Sequence, residues 1–180
     1  MRIIAGEAKG RKLKSIKVTS TRPTPDRIKE SVFNIISPYL PVDKGLDLFA
    51  GFGGMGIEAL SRGVRFFTFV ERDFRNCRII KENLGLAGFQ DRALVRKEDV
   101  REFLLQSEEK YDLIFLDPPY REGLVGDTIK LIIEGEILNE DGIIVAEYEK
   151  ELEPAVPPGT ELLTERHYGD TGISVFKKEE

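Results

Sequence analysis

The chain has 180 residues, 41% of them hydrophobic, enough for one globular domain with a sizeable core. A single cysteine, Cys77, and a single histidine, His167, exclude a disulfide framework and leave the usual zinc ligand sets short, so no metal is expected. No run approaches the ~20 consecutive apolar residues of a membrane span, and MRIIAGEAKGRKLK lacks the apolar stretch of a secretory signal, so a soluble cytoplasmic protein is expected.

The net charge of −5 speaks against a polyanionic partner, but its distribution does not. Residues 1–30 carry nine Lys/Arg against three acids, a net of +6, which leaves −11 for the remainder. Such an asymmetry is that of a basic arm facing a polyanion, or of a solvated tail. Arg2, Lys9, Arg11, Lys12 and Lys14 are the candidate contacts.

After the arm, TPDRIKESVFNII predicts a helix, with Thr24 as its cap, Pro25 at the first helical position, and Ile28, Val32, Ile35 and Ile36 on one face. Strands are predicted at 45–50, 65–71, 93–99, 111–117 and 142–148, separated by helical stretches of about ten or more residues, as crossover connections require. In DFRNCRIIKENLGLAG, Asp73 reads as a cap, Phe74, Cys77, Ile80 and Leu84 share a helical face, and Gly85–Gly88 closes the helix, which makes Cys77 a core residue rather than a nucleophile. TELLTERHYGDTGISVF has no helix between its apolar runs and predicts an antiparallel pair. The sum is a seven-stranded, mostly parallel α/β sheet covered on both faces.

The first strand runs into DLFAGFGGMG, where Gly51, Gly53 and Gly56 spell G-x-G-x-x-G, and Glu71 ends the second strand 20 residues after Gly51. Glycines allow close approach of the backbone to a ligand, and an acid in that place can bind both ribose hydroxyls, so a dinucleotide and S-adenosylmethionine both fit. Asp47, just before the loop, would repel a pyrophosphate but favour an ammonium or sulfonium; its alternative role is hydrogen bonding to the loop backbone. The fourth strand ends in FLDPPY, a far more specific signal. S-adenosylmethionine is therefore the expected cofactor, with Asp47, Gly51, Gly53, Gly54, Glu71, Arg72, Asp99, Val100 and Asp117 as candidate contacts. Asp99 or its neighbouring backbone N–H would read the adenine, or Asp99 would cap a helix. Glu147, like Glu71, Asp99 and Asp117, follows an apolar run at a strand's C-terminal end.

Asp117-Pro118-Pro119-Tyr120 resembles the catalytic motif of methyltransferases that modify exocyclic amines of nucleobases. There the acid and the carbonyl of Pro118 accept N–H bonds from the amine, the prolines hold that carbonyl in place, and Tyr120 offers a face to an extruded base. More narrowly, RIIAGEAKGRKL, TRPTPDRIKESVFNII, LDLFAGFGGMGIEALSRG, DPPY and HYGDTGISVF together resemble the bacterial 16S ribosomal RNA guanine-N2 methyltransferase family, although Phe52 and Gly54 depart from its usual glycine loop. The resemblance implies a Rossmann-like methyltransferase domain over residues 41–180 with an antiparallel last strand. It also implies an RNA-contacting basic extension, hairpin and helix, over residues 1–40. It further implies that Arg22 and Thr24 lie beside the cofactor, and that the substrate is 16S rRNA of the small ribosomal subunit, met by a monomer. The alternative is an adenine-N6 or cytosine-N4 methyltransferase acting on DNA or RNA. An NAD-dependent oxidoreductase would leave Asp47 and DPPY unexplained.

Overall fold

A computed structural model describes residues 1–16, 24–119 and 124–179. The strands are β1 (Lys44–Asp47), β2 (Phe66–Val70), β3 (Ala93–Arg96), β4 (Tyr111–Leu116), β5 (Leu138–Glu149), β6 (Thr160–Tyr168) and β7 (Thr171–Lys178). They form a seven-stranded sheet in the order β3-β2-β1-β4-β5-β7-β6. β1 to β5 run parallel, and β7 is antiparallel to both β5 and β6. The α/β sheet with a reversed last strand is the one that the alternation of apolar runs predicts.

The helices are α1 (Asp26–Ile36), α2 (Gly54–Ser61), α3 (Phe74–Ala87), α4 (Val100–Gln106) and α5 (Leu124–Glu134). α2 and α4, of eight and seven residues, fall short of the expected ten. The strands beside them explain this: a four-residue strand is ~13 Å long, and about eight helical residues suffice to return along it. β4 alternates between the two faces. Leu113 and Phe115 enter a core with α1, α2 and α3, while Ile114 and Leu116 enter a second core with α4 and α5.

Two local expectations change. α1 begins one residue later than predicted, because Pro25 keeps an extended ψ of 142° while its carbonyl accepts the Lys29 N–H at 3.0 Å; Pro25 is the cap, and Thr24 stands outside the helix. Phe74 is 60% exposed rather than buried, because it is the first residue of α3; the Lys97 ammonium lies 5.9 Å from its ring centroid. Cys77, Ile80 and Leu84 are buried as predicted, and the Cys77 thiol donates to the Glu71 carbonyl at 3.2 Å.

The N-terminal segment folds back on itself through Ile3 N–H to Arg11 O (3.0 Å) and Leu13 N–H to Met1 O (2.9 Å), with one bridge, Arg2 to Lys12. Ile3, Ala8 and Leu13 join the core with α1, α2 and α3. In HYGDTG, Gly169 (φ 64°) and Asp170 form the two-residue loop between Tyr168 and Thr171, with glycine supplying the left-handed conformation that hairpin loops require.

Candidate active site

β1 and β4 are neighbours, yet the chain leaves β1 toward β2 on one side and β4 toward β5 on the other. This reversal opens a crevice at the C-terminal strand ends, where open α/β sheets bind ligands. A cavity of about 700 Å³ occupies it. Its walls include Asp47 from β1, Glu71 just after β2, Asp99 after β3, Asp117 after β4 and Glu147 from β5.

Glu71 is held by two backbone donors, Gly51 N–H at 3.0 Å and Asp73 N–H at 2.8 Å. A carboxylate accepts about four hydrogen bonds, so Glu71 keeps capacity for ligand hydroxyls. Gly51 and Gly54 line the cavity. Gly53 does not line the cavity: it is the left-handed residue (φ 82°) before α2, and a Cβ there would meet Ile57 and Ile80 at 3.3 Å. It faces the core. Phe52 is buried, and its carbonyl accepts from Asn83.

Asp47 is 4% exposed and accepts the Phe49 N–H at 3.2 Å. Burial above all, opposed by that hydrogen bond, and then the neighbouring Asp117 and Glu71 charges, hold its carboxyl at about 8. Burial likewise raises Asp117 and Glu147 above the ordinary carboxylate range, and the Asp117 charge raises Glu147 further. Asp47, Glu71, Asp117 and Glu147 make no ion pair among the described residues. A ligand bringing positive charge and N–H donors would relieve this repulsion.

Asp99 caps α4, accepting the Arg101 N–H at 2.8 Å, and Val100 follows it at the cavity wall. Thr24, Arg72, Pro118 and Pro119 also line the cavity. Arg22 and Tyr120 lie outside the described residues. A second cavity, of about 440 Å³, lies between α5 and the stretch 153–158 and meets the first at Pro118 and Pro119.

The basic arm is partly engaged within the fold. Arg2 pairs with Asp26 at 2.8 Å, Lys14 with Glu82 at 2.8 Å, and the Arg11 guanidinium donates to the Leu86 and Ala87 carbonyls that end α3. Lys9 and Lys12 are exposed and form no ion pair among the described residues. His167 approaches Glu153 at 3.2 Å and, with Glu165, forms a group whose ligand atoms lie within 4.8 Å of one another, away from the main cavity.

Lys29 is among the residues lining the cavity although no motif marks it, and its ammonium is buried against Glu58 and the Arg2 carbonyl. The signal was a lysine on the apolar face of α1, beside Ile28 and Val32. Glu147, one strand-end acid among several in the sequence, stands next to Asp117 at the cavity wall.

Residues 1–177 match the family described as "Conserved hypothetical protein 95". The chain is 38% identical, over 98% of its own length and 93% of the relative's, to "Ribosomal RNA small subunit methyltransferase D" of Haemophilus influenzae. The chain belongs to the small-subunit rRNA methyltransferase D family. Another relative in this family, "Putative rRNA methyltransferase YlbH" of Bacillus subtilis, is 46% identical over 99% of each chain. Among solved structures, "Putative methyltransferase yhhF from Escherichia coli" superposes with a TM-score of 0.89 at 31% identity, covering 100% of this chain and 98% of that one. The superposition runs along the whole length of this chain.

Proposed function

We propose that this protein transfers a methyl group from S-adenosylmethionine to the exocyclic N2 amine of a guanine in 16S rRNA of the small ribosomal subunit. The observation that carries the reading is Asp117, set after β4 at the wall of a cavity also lined by Asp47 and Glu71, in a chain of the methyltransferase D family. The size of the cavity and its unpaired carboxyls suit a ligand of this volume and positive charge.

When bound, S-adenosylmethionine supplies a methyl group activated by its sulfonium. Asp47 faces the cationic part of the donor, Glu71 accepts from the ribose hydroxyls, and the Val100 N–H meets the adenine. Asp117 accepts an N–H of the target amine and the Pro118 carbonyl accepts the other, which turns the nitrogen lone pair out of conjugation with the base. As the nitrogen gains the methyl it loses a proton, and the Asp117 carboxylate is placed to take it. The arm, through Lys9 and Lys12 above all, contacts RNA phosphates. A monomer working in the cytoplasm completes the reading.

The test is methyl transfer from labelled S-adenosylmethionine to unmodified small subunits, naked rRNA and DNA, followed by mass spectrometry of the nucleosides. N2-methylguanosine in small-subunit rRNA is the expected product. N6-methyladenine or N4-methylcytosine would overturn the choice of base, and labelled DNA the choice of substrate.

A further inference from the structure

The sheet sets a second carboxylate beside the catalytic one. β4 and β5 run parallel with Leu116 opposite Ala146, so the next residues, Asp117 and Glu147, leave neighbouring strands toward the same face. Phe115 and Val145, two residues earlier on that face, line the cavity as well. On its other side Glu147 is paired with Ile173 of β7, an apolar flank that also lines the cavity. Both carboxyls are half-buried, and neither has a hydrogen-bond or ion-pair partner among the described residues. Two acceptors on adjacent strands, whose backbones run about 4.8 Å apart, are thus left for donors that the ligand brings.

The three bases with exocyclic amines differ in what stands next to the amine. In guanine the N2 amine is flanked by N1–H, another donor. In adenine the N6 amine is flanked by the bare N1, and in cytosine the N4 amine by the bare N3, both acceptors. A pair of carboxylates complements the first pattern and repels the other two, because an acceptor facing an acceptor leaves both groups unpaired in a dry site.

We propose that Glu147 accepts the N1–H of the target guanine while Asp117 holds the N2 amine, and that Glu147 is the residue selecting guanine over adenine and cytosine. The assignment rests on the guanine-N2 reading above and deepens it. Burial first and the nearby Asp117 second raise the Glu147 carboxyl, and the N–H donors of guanine would favour its charged, accepting form.

The experiment compares RNA carrying guanosine at the methylated position with the same RNA carrying 2-aminopurine riboside. That analogue keeps the N2 amine but presents a bare N1. Under saturating S-adenosylmethionine, the wild type is expected to favour guanosine in kcat/KM by roughly 100-fold or more, as sites that bond a donor reject analogues lacking it. In Glu147→Gln the ratio is expected to fall below about 10-fold, because the neutral amide can turn either its carbonyl or its N–H to the base. An equal loss on both substrates, with the ratio unchanged, would show Glu147 to be structural and overturn the assignment. Glu147→Asp, which keeps the charge but withdraws it by one methylene, gives a second reading: a lower kcat/KM on guanosine with preserved affinity for S-adenosylmethionine is expected, and an unaltered rate overturns the proposal. If the wild type methylates no guanine at all, the parent reading fails and this one with it, whereas an unchanged ratio removes only the role of Glu147.

Discussion

The ammonium of Lys29 lies 3.5 Å from a carboxylate oxygen of Glu58, with the two side chains 2% and 0% exposed. Glu58 also accepts the Ile4 and Ala5 N–H groups at 2.8 and 3.0 Å and the Arg62 guanidinium at 2.8 Å. One buried carboxylate thus joins the N-terminal arm, α1 and α2. Glu58→Ala should destabilise the protein by about 3–5 kcal/mol, the cost of leaving a buried charge without its partner. Lys29→Met should cost less, since Arg62 and the two backbone donors remain. Denaturant titration gives both values, and hydrogen exchange at Ile4 and Ala5 should quicken selectively in the Glu58 variant.

The arm offers a sharper contrast in its two glycines, both at φ 84°. A Cβ on Gly6 would fall 1.8 Å from the Ser61 carbonyl oxygen, whereas one on Gly10 would meet nothing within 4 Å. Gly10→Ala therefore carries only the left-handed backbone penalty of about 1–2 kcal/mol. Gly6→Ala adds a backbone clash and should exceed it by several-fold, or detach the arm. Equal melting temperatures for the two variants would contradict the packing of the arm on α2.

Asp47 makes stability depend on pH. Its carboxyl is raised from 3.8 to about 8, so folding is favoured while both folded and unfolded chains are protonated, and that contribution is lost as pH rises from about 4 through about 8. Asp117 and Glu71, the charges that face it, act in the same sense. Asp47→Asn should therefore match the wild type near pH 4 and be more stable near pH 9, by on the order of 2 kcal/mol. The same variant should bind S-adenosylmethionine at least about 10-fold more weakly, because in the proposed site a neutral amide replaces the carboxylate that meets the donor's positive charge. Thermal melts across pH and calorimetric titration read the two effects separately.

Asp117→Ala should abolish methyl transfer while leaving affinity for S-adenosylmethionine within a few-fold, because the proposed mechanism sets it against the acceptor amine. Removing a preorganised acceptor of this kind costs about 100-fold or more in kcat. Full activity in this variant would sink the mechanism.

Lys9→Gln with Lys12→Gln should weaken RNA binding and lower its salt dependence, by a slope of roughly 0.7–0.9 for each phosphate that is no longer neutralised. Arg11→Gln should behave differently. It removes the cap on the α3 carbonyls and should lower the melting temperature as well. Filter binding across salt, set against thermal melts, separates the two kinds of basic residue.

Much of this was legible in the chain. Apolar runs alternating with helical stretches determine a parallel sheet, because strands covered by helices on both faces are apolar on both. The acids after those runs had to lie at the C-terminal strand ends, since a carboxylate inside the ladder could not be solvated, and the DPPY and glycine-loop residues carried the chemistry with them. What the sequence could not decide depends on which strands become neighbours. The order β1-β4-β5 brings Asp47, Asp117 and Glu147 to one face from positions 100 residues apart, and their carboxyls are raised above all by the burial that this packing imposes. Gly53 turned to the core, Arg11 and Lys14 drawn into the fold, and the lock of Lys29 on Glu58 are also tertiary. Each is set by what packs against the residue, and local spacing carries no record of a partner far along the chain.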